Sequence, residues 1–300
     1  MKFHTFAVSV SGASHIETKR PCQDSSGVLE FTNIQAIAVA DGHGGSNYFR
    51  SEIGSRLAVD VAFNQVKNFC NKVAPFERFS ESGIKNFKHS FKQAWIDAVK
   101  DDWQKNPVDE NEPRWAEVSD EYKKLFTSNK DFAPVAYGTT LLLAVSIGSQ
   151  VLIMQIGDGT CAVLLSNGEF KIPVPPDEEN FLNVTTSLCD INAEQKFRHV
   201  ILNCDEFIFP AAIFLSTDGL DDCYPPYENE NFLYSLYSDV IISSMIEREG
   251  FEDTEQELRE DFLSEMSVRA SGDDISLAYM TVENTDFFKE ILAQNQSERN

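Results

Sequence analysis

Positive charge is scarce in this sequence of 300 residues. Lysine and arginine together number 25, against 48 aspartates and glutamates, so the formal net charge is −23. A nucleic-acid-binding protein needs a basic surface to neutralise phosphates, and an anionic membrane repels an acidic surface. The composition therefore argues against both partners. It is compatible with a well-solvated acidic surface in which only a few carboxylates bind metal cations.

Paired cysteines and long apolar runs are also missing. The six cysteines are widely spaced, and none belongs to a CxxC or Cys/His zinc pattern. Reduced thiols in a reducing compartment explain them more simply than a disulfide framework. No stretch approaches the roughly 20 apolar residues that span a bilayer, and the first residues lack a signal-peptide pattern. We therefore expect a cytoplasmic protein without a membrane-spanning segment.

Apolar residues make up 42% of the chain and include 23 phenylalanines, enough for a large core. Several helical patterns, with apolar residues three or four apart, separate groups of strand-like segments. These segments have alternating or continuous apolar character and lie at 2–10, 34–40, 138–145, 151–156, 160–166, 212–216 and 275–281. Consecutive strands followed by pairs of helices favour antiparallel sheets covered by helices over a parallel α/β sheet.

Two longer segments interrupt the strands. Residues 74–135 have helical spacing and predict a helical insert, whose last helix carries apolar residues on one face from Trp115 to Leu125. A Pro-rich stretch then opens a loop-like segment at about 171–205.

Five short motifs each place an aspartate at the end of a strand or in a turn, most of them beside glycine. The aspartates are Asp24 in QD, Asp41 in ADGHGG, Asp158 in GDG, Asp218 in STDGL and Asp273 in GDD. One Asp-Gly pair after a strand is usually only a turn, but repetition of one design in five places favours a shared site. Rigidly held carboxylates suit hard cations such as Mg²⁺ or Mn²⁺.

With these motifs in this order, the sequence resembles the protein phosphatase 2C family of metal-dependent Ser/Thr phosphatases. ADGHGG and STDGL are the specific matches, and the resemblance extends from about residue 3 to 281. The short start SHIETKRPCQD is more similar to a bacterial branch. The resemblance implies an α+β fold, a four-layer αββα sandwich of two antiparallel β-sheets flanked by helical pairs. It would occupy residues 1–285 as a single domain, with a flap at 171–205 and a C-terminal tail at 286–300.

The resemblance also implies the metal ligands. Asp41 would bridge two cations, either Mn²⁺ or Mg²⁺, and the carbonyl of Gly42 would join one of them. Asp218 and Asp273 would complete the first metal's shell. Asp24 would hold the second metal through water.

A third, weaker ion would be bound by Asp158 together with Asp218, as the resemblance to bacterial members implies. The same resemblance makes His43 the general acid for the leaving oxygen, although a histidine in such a loop can also serve only to hydrogen-bond a turn. The implied reaction is hydrolysis of a phosphate monoester by a metal-activated water.

Several positions depart from the family pattern. An Arg that grips phosphate usually lies five residues before the first acidic ligand, but this position holds Lys19, and Arg20 follows it. Lys lacks the bidentate fork of Arg, so Lys19, Arg20 and His15 are all substrate-binding candidates, each of which could equally be a solvated charge. Gln23 stands where the family often has a second carboxylate, and Asp274 replaces the usual Asn.

The sequence thus predicts a protein serine/threonine phosphatase whose partner is a phosphoprotein. A phosphatase-like fold that has lost activity and only binds a ligand or partner is the alternative, which the near-complete aspartate set disfavours. A nuclease is disfavoured by the acidic charge and the absence of a basic groove. Substrate identity and oligomeric state stay open.

Overall fold

Two antiparallel sheets form the centre of a computed structural model of the chain, which describes residues 2–73, 78–175, 177, 185–225 and 228–299, with side chains as far as residue 292. Strands are numbered in chain order. The first sheet has the strand order β1 (Phe3–Val10), β10 (Ile275–Val282), β9 (Pro210–Ser216), β6 (Thr160–Leu165) and β7 (Phe170–Lys171). The second has the order β2 (Ser25–Phe31), β3 (Ile34–Ala40), β4 (Leu141–Ile147), β5 (Gln150–Ile156) and β8 (Arg198–Asn203).

Strand β3 explains why its sequence is continuously apolar. Ile37 and Val39 face the first sheet, whereas Ala36 and Ala38 face the helices on the outside, and all are inaccessible to solvent. Both faces of the strand are therefore covered, so no polar alternation is needed. β3 ends at Ala40, and the acidic loop begins at the next residue.

Helices cover the outer face of each sheet. The second sheet is covered by α2 (Ser51–Lys72), α3 (Glu81–Lys105) and α4 (Asp120–Ser128). The first sheet is covered by α7 (Asn229–Tyr234), α8 (Ser243–Glu247), α9 (Glu252–Glu257), α10 (Leu263–Arg269) and α11 (Thr285–Arg299). The short helices α1 (Ala13–Thr18), α5 (Ala193–Lys196) and α6 (Asp218–Asp221) complete the numbering. The four-layer αββα sandwich predicted from the sequence is therefore confirmed.

Three local expectations differ from the structure. The helix expected around Trp115–Leu125 is a 3₁₀ turn at Trp115–Glu117 followed by α4, because Ser119 caps a new helix by accepting a hydrogen bond from the Tyr122 N–H. As a result Phe126, rather than Leu125, is buried.

The other two differences are segments expected to be irregular. Of the loop-like stretch expected at 171–205, residues 176 and 178–184 lie outside the described part of the chain. Near its end, Arg198–Asn203 forms the edge strand β8, which pairs with β5, and partial burial explains the weak strand pattern of β8. The expected C-terminal tail forms α11, which inserts Phe288 and Ile291 into the core. Among the described residues, no helix combines the length and apolarity that crossing a bilayer requires.

Candidate metal centre and active site

Three aspartates from different strand ends meet at one edge of the sandwich. Asp41 follows β3, Asp158 lies in the turn between β5 and β6, and Asp218 follows β9. β3 and β5 belong to one sheet and β9 to the other, so packing of the two sheets brings the three turns together. One carboxylate oxygen from each residue lies within 4.8 Å of the other two. At this separation the carboxylates can share a cation.

The three aspartates open into a cavity of about 550 Å³. The residues predicted from the sequence that line it are His15, Asp41, Gly42, His43, Asp158, Asp218 and Asp273. The predicted residues Lys19, Arg20 and Asp24 are not on the lining. Four aspartates, two histidines and a glycine that were predicted from the sequence therefore line the same cavity.

Burial and nearby negative charges raise the pKa values of two carboxylates in this cluster. Burial, with the charge of Asp218, raises the pKa of Asp41 well above its usual range. Burial and the charge of Asp158 raise the pKa of Asp218 to about 8. Carboxylates shift in this direction when they are desolvated beside like charges. A divalent cation between them would offset the repulsion that adds to the effect of burial in both shifts.

Two glycines allow the backbone approaches that build the cavity. A Cβ atom on Gly42 would lie 2.6 Å from the carbonyl oxygens of both Gln23 and Ser51, which is too close for any side chain. A Cβ atom on Gly219 would overlap the carbonyl oxygen of Asp274. Glycine at these positions lets the loop after β3 and the turn after β9 pack directly against neighbouring backbone.

His43 lies directly after Gly42 and is held by both its backbone and its ring. Its backbone N–H donates to the carbonyl of Gly138 at 3.1 Å, and its ring packs edge-on against Tyr48 with centroids 4.8 Å apart. Burial lowers the pKa of His43, against a smaller opposing effect from Asp158. The imidazole is therefore biased towards its neutral form before a substrate phosphate arrives.

His15 and Asp274 form a pair in the cavity wall. Nδ1 of His15 lies 2.8 Å from Oδ2 of Asp274, whose two oxygens also accept hydrogen bonds from the backbone N–H groups of Gly12 and Gln23, each at 2.6 Å. Asp274 is 3% exposed, so these three donors replace the hydrogen bonds that water would otherwise make to its carboxylate. The hydrogen bond to Asp274 raises the pKa of His15.

The remaining predicted residues have other surroundings. Asp24 is buried and accepts a hydrogen bond of 2.7 Å from Oγ1 of Thr217, and burial raises its pKa to about 7. Arg20 pairs with Glu117 at 3.1 Å. Lys19 ends α1 with a left-handed backbone conformation at φ 57°.

Arg114, Tyr48 and Thr185 contribute to the site without a signal in the sequence. Arg114 comes from the irregular part of the insert and donates to the carbonyls of Gly44, Gly45 and Tyr48 at 2.7–3.0 Å. Tyr48 and Thr185 line the cavity, and the Thr185 hydroxyl donates to the Asp158 carboxylate. No local spacing connects these residues to the aspartate motifs, so only the fold reveals them.

The donor set of Asp41, Asp158 and Asp218 fits a hard divalent cation. These three groups are carboxylates, and Gly42 lies on the same lining, whereas Asp273 is grouped with His15 and Asp274 instead. Mg²⁺ and Mn²⁺ prefer such oxygen ligands, whereas zinc and copper sites usually include several nitrogen or sulfur atoms. Three carboxylates leave other coordination positions for water or a phosphate oxygen.

The family model described as protein phosphatase 2C matches residues 11–263. This match covers most of the chain and includes four of the five aspartate motifs. The chain therefore belongs to the protein phosphatase 2C family. A comparison with curated protein sequences finds no match.

Solved structures with a similar fold include bacterial serine/threonine phosphatases. Stp1 from Staphylococcus aureus matches with a TM-score of 0.56 and 16% identity over 95% of this chain and 96% of its own. The S. agalactiae serine/threonine phosphatase matches with a TM-score of 0.55 and 16% identity over 94% and 100%. The catalytic domain of PstP, solved in complex with two manganese ions, matches at 0.51 and 14% over 93% and 97%. At these identities the similarity shows the fold.

Proposed function

We propose that this protein hydrolyses phosphoserine and phosphothreonine on phosphoproteins in a reaction that requires divalent metal ions. The observation that carries the proposal is the convergence of Asp41, Asp158 and Asp218 in one cavity, within 4.8 Å of one another. Membership of the protein phosphatase 2C family supports it. The two manganese ions bound by PstP support dependence on a divalent metal.

The cavity would hold two Mn²⁺ or Mg²⁺ ions and a third, weaker one. Asp41 and the Gly42 carbonyl would contact the two main ions, with Asp218 and Asp273 on one of them. Asp24, which accepts a hydrogen bond from Thr217, would act through water. When bound, such ions offset phosphate charge and lower the pKa of a water molecule.

Asp158 would hold the third ion together with Asp218. The hydroxyl of Thr185 donates to the Asp158 carboxylate, which fixes one of its oxygens and leaves the other for an ion. Because Thr185 also lines the cavity, it positions this ligand from the segment that the sequence analysis identified as a flap.

His43 would protonate the oxygen of the leaving serine or threonine. Its pKa is lowered by burial in the free protein, but a phosphate dianion bound beside the ring would favour the charged form. The imidazolium then carries the proton that the leaving alkoxide needs. The contact with Tyr48 and the backbone hydrogen bond to Gly138 restrict the position of the ring.

His15 is the basic residue best placed to contact the phosphate. Asp274 occupies its Nδ1 atom and favours the charged ring, while Nε2 makes no hydrogen bond with the described residues. An imidazolium N–H is a strong donor to a phosphate oxygen. Lys19 and Arg20 are not on the cavity lining, and Arg20 is already paired with Glu117.

The convergence of Asp41, Asp158 and Asp218 disfavours the alternative of an inactive binding module, because a protein that only binds a partner has no need for crowded, destabilising carboxylates. The expectations of no nucleic-acid partner, no membrane partner and a cytoplasmic location stay predictions, and the oligomeric state stays open.

Hydrolysis of p-nitrophenyl phosphate and of a phosphothreonine peptide, with Mn²⁺ or with EDTA, tests the proposal. We expect turnover only with metal, and loss of at least about 100-fold in Asp218→Asn with an unchanged circular dichroism spectrum. Asp239→Asn, which changes an exposed aspartate of the outer helices, is the matched control and should keep full activity. Metal-independent turnover, or full activity in Asp218→Asn, would refute the assignment.

A further inference from the structure

A second cavity lies directly beside the catalytic one. It has a volume of about 750 Å³ and lies between the helical insert and the turn that precedes α5. Its apolar lining is formed by Tyr48, Ile96, Tyr122, Phe132, Val135 and Ile191. We call this space the side groove.

The side groove shares two structural parts with the catalytic cavity. Tyr48 lines both spaces, and its ring packs against His43. The segment that starts with Thr185 in the catalytic cavity continues through Cys189, Asp190 and Ile191 along the groove. A chain that leaves the catalytic cavity past Tyr48 therefore enters the side groove.

Ile191 is an exposed apolar residue on a firmly held turn. Its relative exposure is 94%, although the backbone on its N-terminal side is fixed by several hydrogen bonds. The ammonium group of Lys92 donates to the carbonyls of Leu188 and Asp190, and the Ser187 N–H donates to the Asp190 carboxylate at 3.0 Å. The fold thus keeps this side chain in water, where a partner that covers it gains free energy.

The charged groups of the groove are already partnered. Asp190 pairs with Lys196 at 3.1 Å and Asp131 with Lys100 at 2.7 Å. Lys92 is engaged with the backbone of the turn. The groove therefore offers an incoming chain mainly apolar surface rather than a free charge.

We propose that the side groove binds a large apolar side chain of the substrate polypeptide, a few residues from the phosphorylated serine or threonine. This inference rests on the proposed phosphatase function. A phosphoprotein must leave the catalytic cavity along some surface, and the groove that adjoins it past Tyr48 has the volume for one large side chain and its neighbours. A small substrate such as p-nitrophenyl phosphate does not reach this surface.

Steady-state kinetics on two phosphothreonine peptides test the proposal. The peptides have equal length and charge, and Phe or Leu residues flank the phosphothreonine in one, whereas Ser replaces them in the other. We expect the wild-type protein with Mn²⁺ to prefer the apolar peptide by about tenfold in kcat/KM, mainly through KM, because even one methylene group in a hydrophobic pocket contributes roughly 10–200-fold. Ile191→Ser should remove most of this preference and leave turnover of p-nitrophenyl phosphate unchanged.

Phe207→Ser is the matched control, since Phe207 is 99% exposed in the turn between β8 and β9. It should retain the peptide preference. Equal kcat/KM for both peptides, or an Ile191→Ser variant that keeps the preference, would overturn the groove assignment while turnover of p-nitrophenyl phosphate upholds the phosphatase function. Equal loss on all three substrates would also overturn it, because it would make Ile191 a structural residue. Failure of metal-dependent turnover on every substrate would refute both proposals.

Discussion

The guanidinium of Arg114 donates a hydrogen bond of 2.7 Å to the carbonyl oxygen of Gly44. Arg114 is 5% exposed and donates to two further carbonyls of the same loop. The loop begins with Asp41 and carries His43, so a residue of the helical insert holds the loop on which the candidate chemistry depends. Arg114 is not on the cavity lining and would act only by positioning this loop.

Replacing Arg114 by Met should therefore impair the site more than the fold. We expect kcat with Mn²⁺ to fall about 10–100-fold, the usual cost of losing a residue that orients metal ligands, together with weaker Mn²⁺ activation. Arg269→Met, which changes an exposed arginine of α10, serves as the control. A variant with the wild-type Mn²⁺ titration curve would show that the contacts of Arg114 are only structural.

Gly219 lies between two predicted ligands, since it follows Asp218, and a Cβ atom on it would overlap the carbonyl oxygen of Asp274 and lie 3.5 Å from the Cβ of Asp273. An added methyl group in Gly219→Ala must displace the turn before β10, because the atom it meets is a backbone carbonyl. We expect a loss of about 1–3 kcal/mol in the free energy of unfolding and weaker Mn²⁺ binding by calorimetry. Gly250→Ala, with no atom within 4 Å of the added Cβ, should change neither, and equal behaviour of the two variants would contradict the close packing.

The His43→Ala variant tests whether His43 is a general acid or only a structural residue. Only for a general acid should the loss of activity depend on the leaving group. Turnover of alkyl phosphoesters should fall about 10²–10⁴-fold, the usual range for loss of a general acid. Aryl esters such as p-nitrophenyl phosphate should be affected much less, because their leaving group needs no proton. Parallel losses in the two substrate series, measured at one saturating Mn²⁺ concentration, would exclude the acid role.

Asp221 should make the stability of the metal-free protein depend on pH. Burial raises its pKa from 3.8 to about 7, although hydrogen bonds from Thr160 and Ser216 oppose the shift. Between these values the folded state binds more protons than the unfolded chain, so stability is lost as the pH rises. Asp221→Asn cannot titrate and should reduce this slope by up to about 1.4 kcal/mol per pH unit.

Urea unfolding in EDTA at pH 5, 6 and 7 measures the slope for Asp221→Asn and the wild type. Asp239→Asn again provides the control, because removal of an exposed carboxylate should not change this slope. Parallel lines for wild type and Asp221→Asn would mean that Asp221 keeps an ordinary pKa in the folded protein.

The strand ends and the aspartate cluster could be predicted because each signal is local. Asp41 and Asp218 each follow a short apolar run and precede glycine, and this pattern is visible without knowing the fold. Antiparallel sheets covered by helices could also be predicted, since strand groups and helical patterns succeed one another in the sequence, whereas the sandwich itself is what the family resemblance implies. Each motif alone is weak evidence for a function, and the resemblance to the family makes the order of the motifs informative.

Arg114 and the pairing of His15 with Asp274 could not be predicted in the same way. Arg114 lies in an irregular segment, and its partners are backbone carbonyls that no sequence pattern marks. His15 and Asp274 are separated by 259 positions, and only the packing of α1 against the turn before β10 brings them together. β8 was missed because an edge strand with partial burial has little alternation.

We propose that carboxylates from both sheets hold neighbouring divalent ions. Anomalous diffraction from crystals soaked in Mn²⁺, recorded at the manganese edge, would locate these ions. We predict two strong peaks, both within coordination distance of an Asp41 oxygen, and one of them also in contact with Asp218 and Asp273. A map without a peak at Asp41, or with manganese only at surface carboxylates, would contradict the account.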